Sequence, residues 1–437
     1  MPSLQNEVNY RGMSTTRRWL LLALVSAGSS IMYYIPYLRW VFPDQMVAAL
    51  DISNQQLGQL MSAYAITALV CYLPAGILAD KIRMRTLSWI GYLSTAALLF
   101  VYATLPSFGV MILLMIALGV TTILIWWGTR FKLVRLLFAE DQYQSRIGWS
   151  YMFFALAGLA IGNGIAQIIL RTYGEGYEAN FLRVLLIVVG SIIAVMGVLS
   201  LLFVPKFDNE FDPNAARVSL SEFWQALRNP AVIFAAVTMF SVYFVNTSMT
   251  YTTQWLTMGP VLASTVIATN IANLRSYGVG VISGPVGGTL TKIVGSTSKM
   301  IMGISTIVIG ILLVFIFVPW GAGTAVLAAV IVLVMAFFTL AQFYIASGQL
   351  TEARVPTPIF GAATGVLSLV GFLPDTFRDI IFGGWVDDFE AGTRDNAFQQ
   401  IFWVVVSVAV VGIIASYGVL RISRKKAKAE ELAGALV

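Results

Sequence analysis

Residues 57–85 read LGQLMSAYAITALVCYLPAGILADKIRMR. The first nineteen or so are nearly uncharged, about the length a helix needs to cross a bilayer. The chain then turns ionic within six residues, Asp80-Lys81-Ile82-Arg83-Met84-Arg85. A long apolar run closed by clustered cations reads as a membrane span ending in a loop held on the basic side of the bilayer.

Composition carries that reading to the whole chain. Of 437 residues, 58% are hydrophobic and 11% charged, whereas soluble globular domains carry charge on about a quarter of their residues. Roughly twelve spans of about 20 to 22 residues would account for about 60% of the chain, which matches the apolar fraction. The net charge of +6 is explained by basic residues kept at the cytoplasmic face, so nucleic acid is not implied. There is no histidine, and Cys71 is the single cysteine; neither a metal site nor an internal disulfide is expected, and no cofactor. Arg11, Arg17 and Arg18 lead directly into an apolar run too long for a cleavable signal.

Apolar runs near 19–40, 57–79, 86–104, 109–131, 147–170 and 183–204 form a first series. A second falls near 231–257, 266–290, 299–319, 324–349, 359–385 and 397–420. Ser53-Asn54-Gln55-Gln56 reads as a capping box opening the second span. Residues 205–230 form the longest polar stretch, in which Ser219-Leu220-Ser221-Glu222 caps a short amphipathic piece (Leu220, Phe223, Leu227) expected at the membrane surface. The expected domains are a bundle over 1–204, a cytoplasmic linker over 205–230, a second bundle over 231–420 and a basic tail over 421–437. Basic loops at Arg17/Arg18, Lys81/Arg83/Arg85, Lys132/Arg135/Arg146 and Lys292/Lys299 alternate with acidic or uncharged ones, which places both termini in the cytoplasm. In the central loop, by contrast, Asp208, Glu210, Asp212 and Glu222 outnumber Lys206, Arg217 and Arg228. Gly288-Thr-Leu-Thr-Lys292 lines up with Gly76-Ile-Leu-Ala-Asp80, and Gly371-Phe-Leu-Pro-Asp375 with Gly158-Leu-Ala-Ile-Gly162, at nearly the same offset. Two short matches at one spacing suggest an internal repeat of two halves.

The segment Gly76-Ile77-Leu78-Ala79-Asp80-Lys81 with Arg85 resembles the signature loop between the second and third spans of the major facilitator superfamily. Gly76, Leu78, Asp80, Lys81 and Arg85 match that pattern; Arg83 stands where the family has glycine and Met84 where it has a basic residue. The resemblance implies an all-α integral membrane fold of twelve transmembrane helices in two pseudo-symmetric six-helix halves, with a substrate site between them. It also implies alternating access, a multi-pass place in the inner or plasma membrane, a monomer, and a gating role for Gly76, Asp80, Lys81 and Arg85.

Ionisable residues inside spans are costly, so each is a functional candidate. Arg39 lies about 30 Å along an ideal helix from Trp19, which puts it at the outer interface, or facing a central cavity if the first span runs on and tilts. Its register to Gln56-Leu57-Gly58 resembles the organophosphate–phosphate antiporter branch, in which an arginine here binds the anion, although Tyr251 occupies the matching second-half position. Arg275, in Asn273-Leu-Arg-Ser-Tyr-Gly278, is either a substrate ligand or a structural arginine tied to carbonyls; an arginine in the eighth span also resembles carboxylate carriers of the superfamily. Asp375, Arg378 and Asp379 fall on one helical face, as a self-neutralising cluster or with Asp375 as a proton carrier. Arg130 is either an interfacial anchor or a vestibule residue beside Trp127. Aromatic and amide stripes, Tyr33 and Tyr37 with Trp40, and Tyr243 and Tyr251 with Gln254, pack helices or contact ligand.

No nucleotide-binding loop or nucleophile–base pair is legible, so no enzyme is expected. The expectation is a secondary active transporter of a small organic anion (carboxylate, sulfonate or phosphoester), coupled to protons or to counter-anion exchange. The alternative is a proton-coupled exporter of amphipathic or cationic drugs, which needs Asp375 as its accessible acid. A membrane receptor would need a soluble domain, and no polar stretch is longer than 205–230.

Overall fold

The computed structural model describes residues 7–139, 142–173, 176–208, 210–211 and 220–434. Those residues are almost entirely helical. Among them, nine helical stretches are long and apolar enough to cross a membrane, or ten when Asn54–Tyr72 and Pro74–Lys81 count as one bent span. The bend of 56° falls at Pro74, which lacks the N–H that would continue the helical ladder. Helices also occupy the places of the expected first and eighth spans, Thr15–Tyr34 and 265–294, but fall outside that set. Their sequences show why: Ser26, Ser29 and Ser30 in one, and Asn270, Asn273 and Arg275 in the other, lower the hydropathy.

The chain forms two compact units, one of Met1–Ala215 with Asp379–Gly383 and one of Ala216–Arg378 with Gly384–Val437. In the first unit, Asn54–Lys81 opens with the expected capping box: Ser53 Oγ accepts from Gln56 N–H at 3.1 Å and Gln56 Oε1 from Ser53 N–H at 2.9 Å. Small and hydroxyl side chains let its helices approach and bond. Trp126 Nε1 donates to Ser29 Oγ at 2.6 Å, Thr95 Oγ1 to Thr121 Oγ1 at 3.0 Å, and Ser26 and Ser150 share a hydrogen bond of 2.7 Å. Each such bond is worth about 0.6 kcal/mol in a membrane protein. Gly58 and Gly383 are glycines for a steric reason, since a Cβ would overlap the backbone of Asp379 and of Asn54 respectively. A two-residue parallel ladder, Glu7–Val8 against Lys206–Phe207, ties the start of the described chain to the end of the helix Glu178–Phe203.

In the second unit, the core runs through Ala235, Met239, Val242, Ala363 and Val366. The helix Leu220–Arg228 buries Ala226 and rests Phe223 and Leu227 on this core, leaving Trp224 exposed. Its expected cap Ser219, with Asp212 and Arg217, lies outside the described residues. Two expected spans are interrupted. The seventh breaks between Pro230–Ser248 and Tyr251–Met258, and the eleventh between Thr357–Gly371 and Arg378–Glu390, around a 3-10 turn that contains Pro374. The basic tail is not a separate strand of coil: Ala397–Gly434 is one helix, docked where Ser423 Oγ and Lys426 Nζ donate to the carbonyls of Glu352 and Ala353.

Candidate functional site

Three helices carry π-helical segments, Val120–Trp127, Ala160–Ala166 and Leu274–Gly278. Such segments widen the helix, shift its register by one residue and recur at functional sites. Trp127 closes the first, Asn163 lies in the second and Arg275 in the third. Two sequence candidates, Trp127 and Arg275, therefore sit where the helix is least regular.

In the first unit, Tyr33, Trp127 and Arg130 come together. Tyr33 donates to the Thr122 carbonyl at 2.7 Å and sets its ring against Trp127, centroids 6.3 Å apart. Trp127 meets Tyr72 at 5.4 Å and Phe131 at 5.2 Å. Phe131 in turn contacts Arg130, whose guanidinium carbon lies 5.4 Å from that ring, 4.8 Å from Tyr151 and 4.9 Å from Phe154. Arg130 is only 3% exposed, which excludes a simple interfacial anchor. Its one hydrogen bond among the described residues runs from Nη2 to Ser150 Oγ at 3.3 Å. Its Nε–H is buried with no acceptor, and no carboxylate among the described residues lies within ion-pair reach. Ring faces and one hydroxyl are weak compensation for a buried cation.

Arg39 is held differently. It sits in the 3-10 turn Leu38–Trp40 that follows the first helix, 1% exposed, and pairs with Asp379 at 3.4 Å. Both partners belong to the first unit. Its side chain is buried rather than exposed. Tyr37 stacks obliquely on Trp40 at 4.3 Å and edge-on to Tyr64 at 5.5 Å.

In the second unit, Tyr243 donates to Asp375 Oδ2 at 2.5 Å, and Arg378 pairs with Asp375 at 3.1 Å while donating to Thr247 Oγ1. Tyr243 and Thr247 thus serve the acidic cluster rather than standing apart from it as a separate stripe. Asp379, expected to share Arg378, is engaged with Arg39. The three residues do not lie on one uninterrupted helix face, because the turn at Pro374 separates Asp375 from the other two. Arg275, 5% exposed, donates through Nη1 to the Met249 carbonyl and, at 3.2 Å, to Thr252 Oγ1. Met249 is the break residue of the seventh helix, and its carbonyl also accepts from Thr252 N–H at 3.1 Å and from Thr252 Oγ1 at 2.6 Å. Tyr251 and Gln254 are buried in the short helix after that break.

The signature loop forms a third cluster, within the first unit. Only Ile82 and Arg83 separate the two helices, and Arg83 has φ −60°, so a side chain is accommodated at the family's glycine position. Lys132 Nζ reaches Asp80 at 2.9 Å and the Ala79 carbonyl at 2.8 Å; Arg85 donates to the Leu201 carbonyl at 2.7 Å. Lys81 and Gly76 are exposed, with nothing near Gly76. Arg83 bridges Glu7 at 2.6 Å and Glu210 at 3.3 Å, and Glu210 also accepts from Met84 N–H at the start of the next helix. Sequence spacing does not link Glu7 or Glu210 to Arg83, from which they lie 76 and 127 positions away. Burial pushes the Glu210 carboxyl up from its ordinary range, against the opposing Met84 N–H and Arg83. The Glu7 hydrogen bond raises Arg83.

The family model described as Major Facilitator Superfamily matches residues 19–375. Inner membrane protein YqcE of Escherichia coli (strain K12) is 25% identical over 91% of this chain and 93% of its own. Inner membrane protein YihN of the same organism is 23% identical over 95% and 98%. Among solved structures, the nucleoside transporter NupG superposes with a TM-score of 0.69 at 16% identity, covering 93% of this chain and 98% of that one. A bacterial homologue of the human lysosomal transporter Spinster, inward-facing and occupied, gives 0.70 at 13% identity, over 94% and 98%.

Proposed function

Because the chain belongs to the Major Facilitator Superfamily of membrane-spanning transporters, we propose that its cargo is a small organic anion and that Arg130 is the residue that draws it in. The observation that carries this is the Arg130 guanidinium, buried with an orphaned Nε–H and no carboxylate among the described residues. A cation kept in an apolar interior without a counter-charge is costly by several kcal/mol. A carboxylate, sulfonate or phosphoester docking bidentately on its fork offsets that cost. Tyr33, Trp127 and Phe131 then supply apolar faces for the carbon skeleton. Arg275 gives secondary support, and its contact with the Met249 carbonyl equally fits the structural alternative. Arg39, Asp379, Asp375 and Arg378 are proposed as the coupling and gating set, since their charges pair with one another. Asp375 bonded to both Tyr243 and Arg378 is a poor free acid for a cationic drug, which counts against the exporter alternative. The relatives named as inner membrane proteins support an inner-membrane location.

The test is uptake by proteoliposomes across a panel of carboxylates, sulfonates and phosphoesters, with Arg130→Gln and Arg130→Lys. Loss in Gln with partial retention in Lys is expected. Parent-like uptake of every anion by both variants would refute the assignment.

A further inference from the structure

A second charged feature lies at the end of the first unit, away from Arg130. The ladder Glu7–Val8 with Lys206–Phe207 walls a cleft of about 390 Å³ lined by Glu7, Arg17, Arg85, Leu202 and Lys206. Three cations face one carboxylate, and that carboxylate already pairs with Arg83 outside the lining. Arg17 and Arg85 each spend part of their fork on the last carbonyls of the helix Glu178–Phe203, at Phe203 and Leu201. Those bonds aim both guanidiniums at one place and leave further N–H donors. Lys206 Nζ has no partner among the described residues. Leu202 lines the cleft, Phe203 follows it in the chain and Leu20 lies one helical turn from Arg17; they are 65%, 54% and 66% exposed. Cationic donors and exposed apolar side chains therefore adjoin.

We propose that this cleft binds the phosphodiester headgroup of an anionic phospholipid, with its acyl chains over Leu202, Phe203 and Leu20. Scattered basic residues near a bilayer attract anionic lipid without selecting a position. Here the ladder fixes the Lys206 backbone in the same cleft lining as the two arginines, which converts a general attraction into a site. The exposed apolar rim favours a lipid over a soluble phosphate, because burying it adds affinity that inorganic phosphate lacks. The proposal is independent of the cargo, and its readout is not transport.

Native mass spectrometry of the detergent-purified full chain, titrated in parallel with phosphatidylglycerol and phosphatidylcholine, tests it. The phosphatidylglycerol adduct should form at about a tenfold lower concentration than the phosphatidylcholine adduct. In Arg17→Gln/Lys206→Gln it should weaken by about fivefold for each basic residue removed, with the thermal midpoint of lipid-free protein unchanged. Both side chains are exposed, so folding should survive, and Lys206→Glu, an equal change of charge at one position, provides a second variant. Millimolar inorganic phosphate should leave the adduct in place. Equal retention of the two lipids, an undiminished adduct in both variants, or displacement by inorganic phosphate would each overturn the proposal.

Discussion

Of the arginines buried in the two units, Arg378 in the second and Arg130 in the first are held in opposite ways. In the second, Arg378 is matched by the Asp375 carboxylate, with Tyr243 donating to Asp375 and Arg378 donating to Thr247. In the first, Arg130 has rings on three sides, one serine hydroxyl, and an Nε–H directed at nothing described. The first arrangement is what a structural or coupling charge needs, since each partner offsets the desolvation of the other. The second makes poor sense for stability alone. It is intelligible where an anion arrives to complete it.

Four measurements can break or sharpen that contrast. The largest effect is expected at Arg378→Gln, which strands Asp375 in the interior; breaking a buried pair this way costs about 3–5 kcal/mol. The unfolding midpoint should fall sharply, and Arg378→Gln/Asp375→Asn should recover much of the loss. Failure of the double variant to recover would mean that the pair is not a closed unit. Next is Arg130→Met, for which the two readouts should separate. Uptake should drop by about 100-fold, the loss of one charge-assisted bidentate contact, while thermal stability holds or rises because an uncompensated cation is gone. Destabilisation comparable to Arg378→Gln would erase the distinction between the units.

Tyr243→Phe is expected to cost about 1.5–3 kcal/mol, the range for a hydrogen bond to a charged group. A change below about 0.5 kcal/mol would put the tyrosine outside the cluster. The smallest effect concerns pH. Burial raises the Glu210 carboxyl, so the folded chain holds that proton more tightly than the unfolded one. Its contribution to stability is full at acidic pH and is lost as pH rises through the raised value. Glu210→Gln should therefore flatten the stability profile over that interval; an unchanged profile would show that Glu210 is not the titrating group.

Much of the architecture was legible in the chain. The apolar runs, the capping box at Ser53 and the ionic loop after residue 79 follow from local hydropathy and local hydrogen bonding, which a sequence carries on its face. Candidate charges were legible too, because an ionisable residue in an apolar run is conspicuous. Their partners were not. Spacing put Asp375, Arg378 and Asp379 on one face, yet Pro374 interrupts the helix and Asp379 pairs instead with an arginine 340 positions earlier in the chain. Arg130 looked like an ordinary cation at the end of a span, whereas a π-helical segment ending at Trp127 and the neighbouring helix with Ser150, Tyr151 and Phe154 enclose it. The loop at Arg83 was readable as a turn, but not the carboxylates of Glu7 and Glu210 that hold it.

The sequence by itself determined where the chain is apolar, where it is charged and hence that it is a membrane protein of helical build, because those properties depend on neighbours within a few residues. Only the tertiary structure decided which charges are compensated. Pairing energies fall off over a few ångströms, and residues that distant in sequence become neighbours only once the helices have packed.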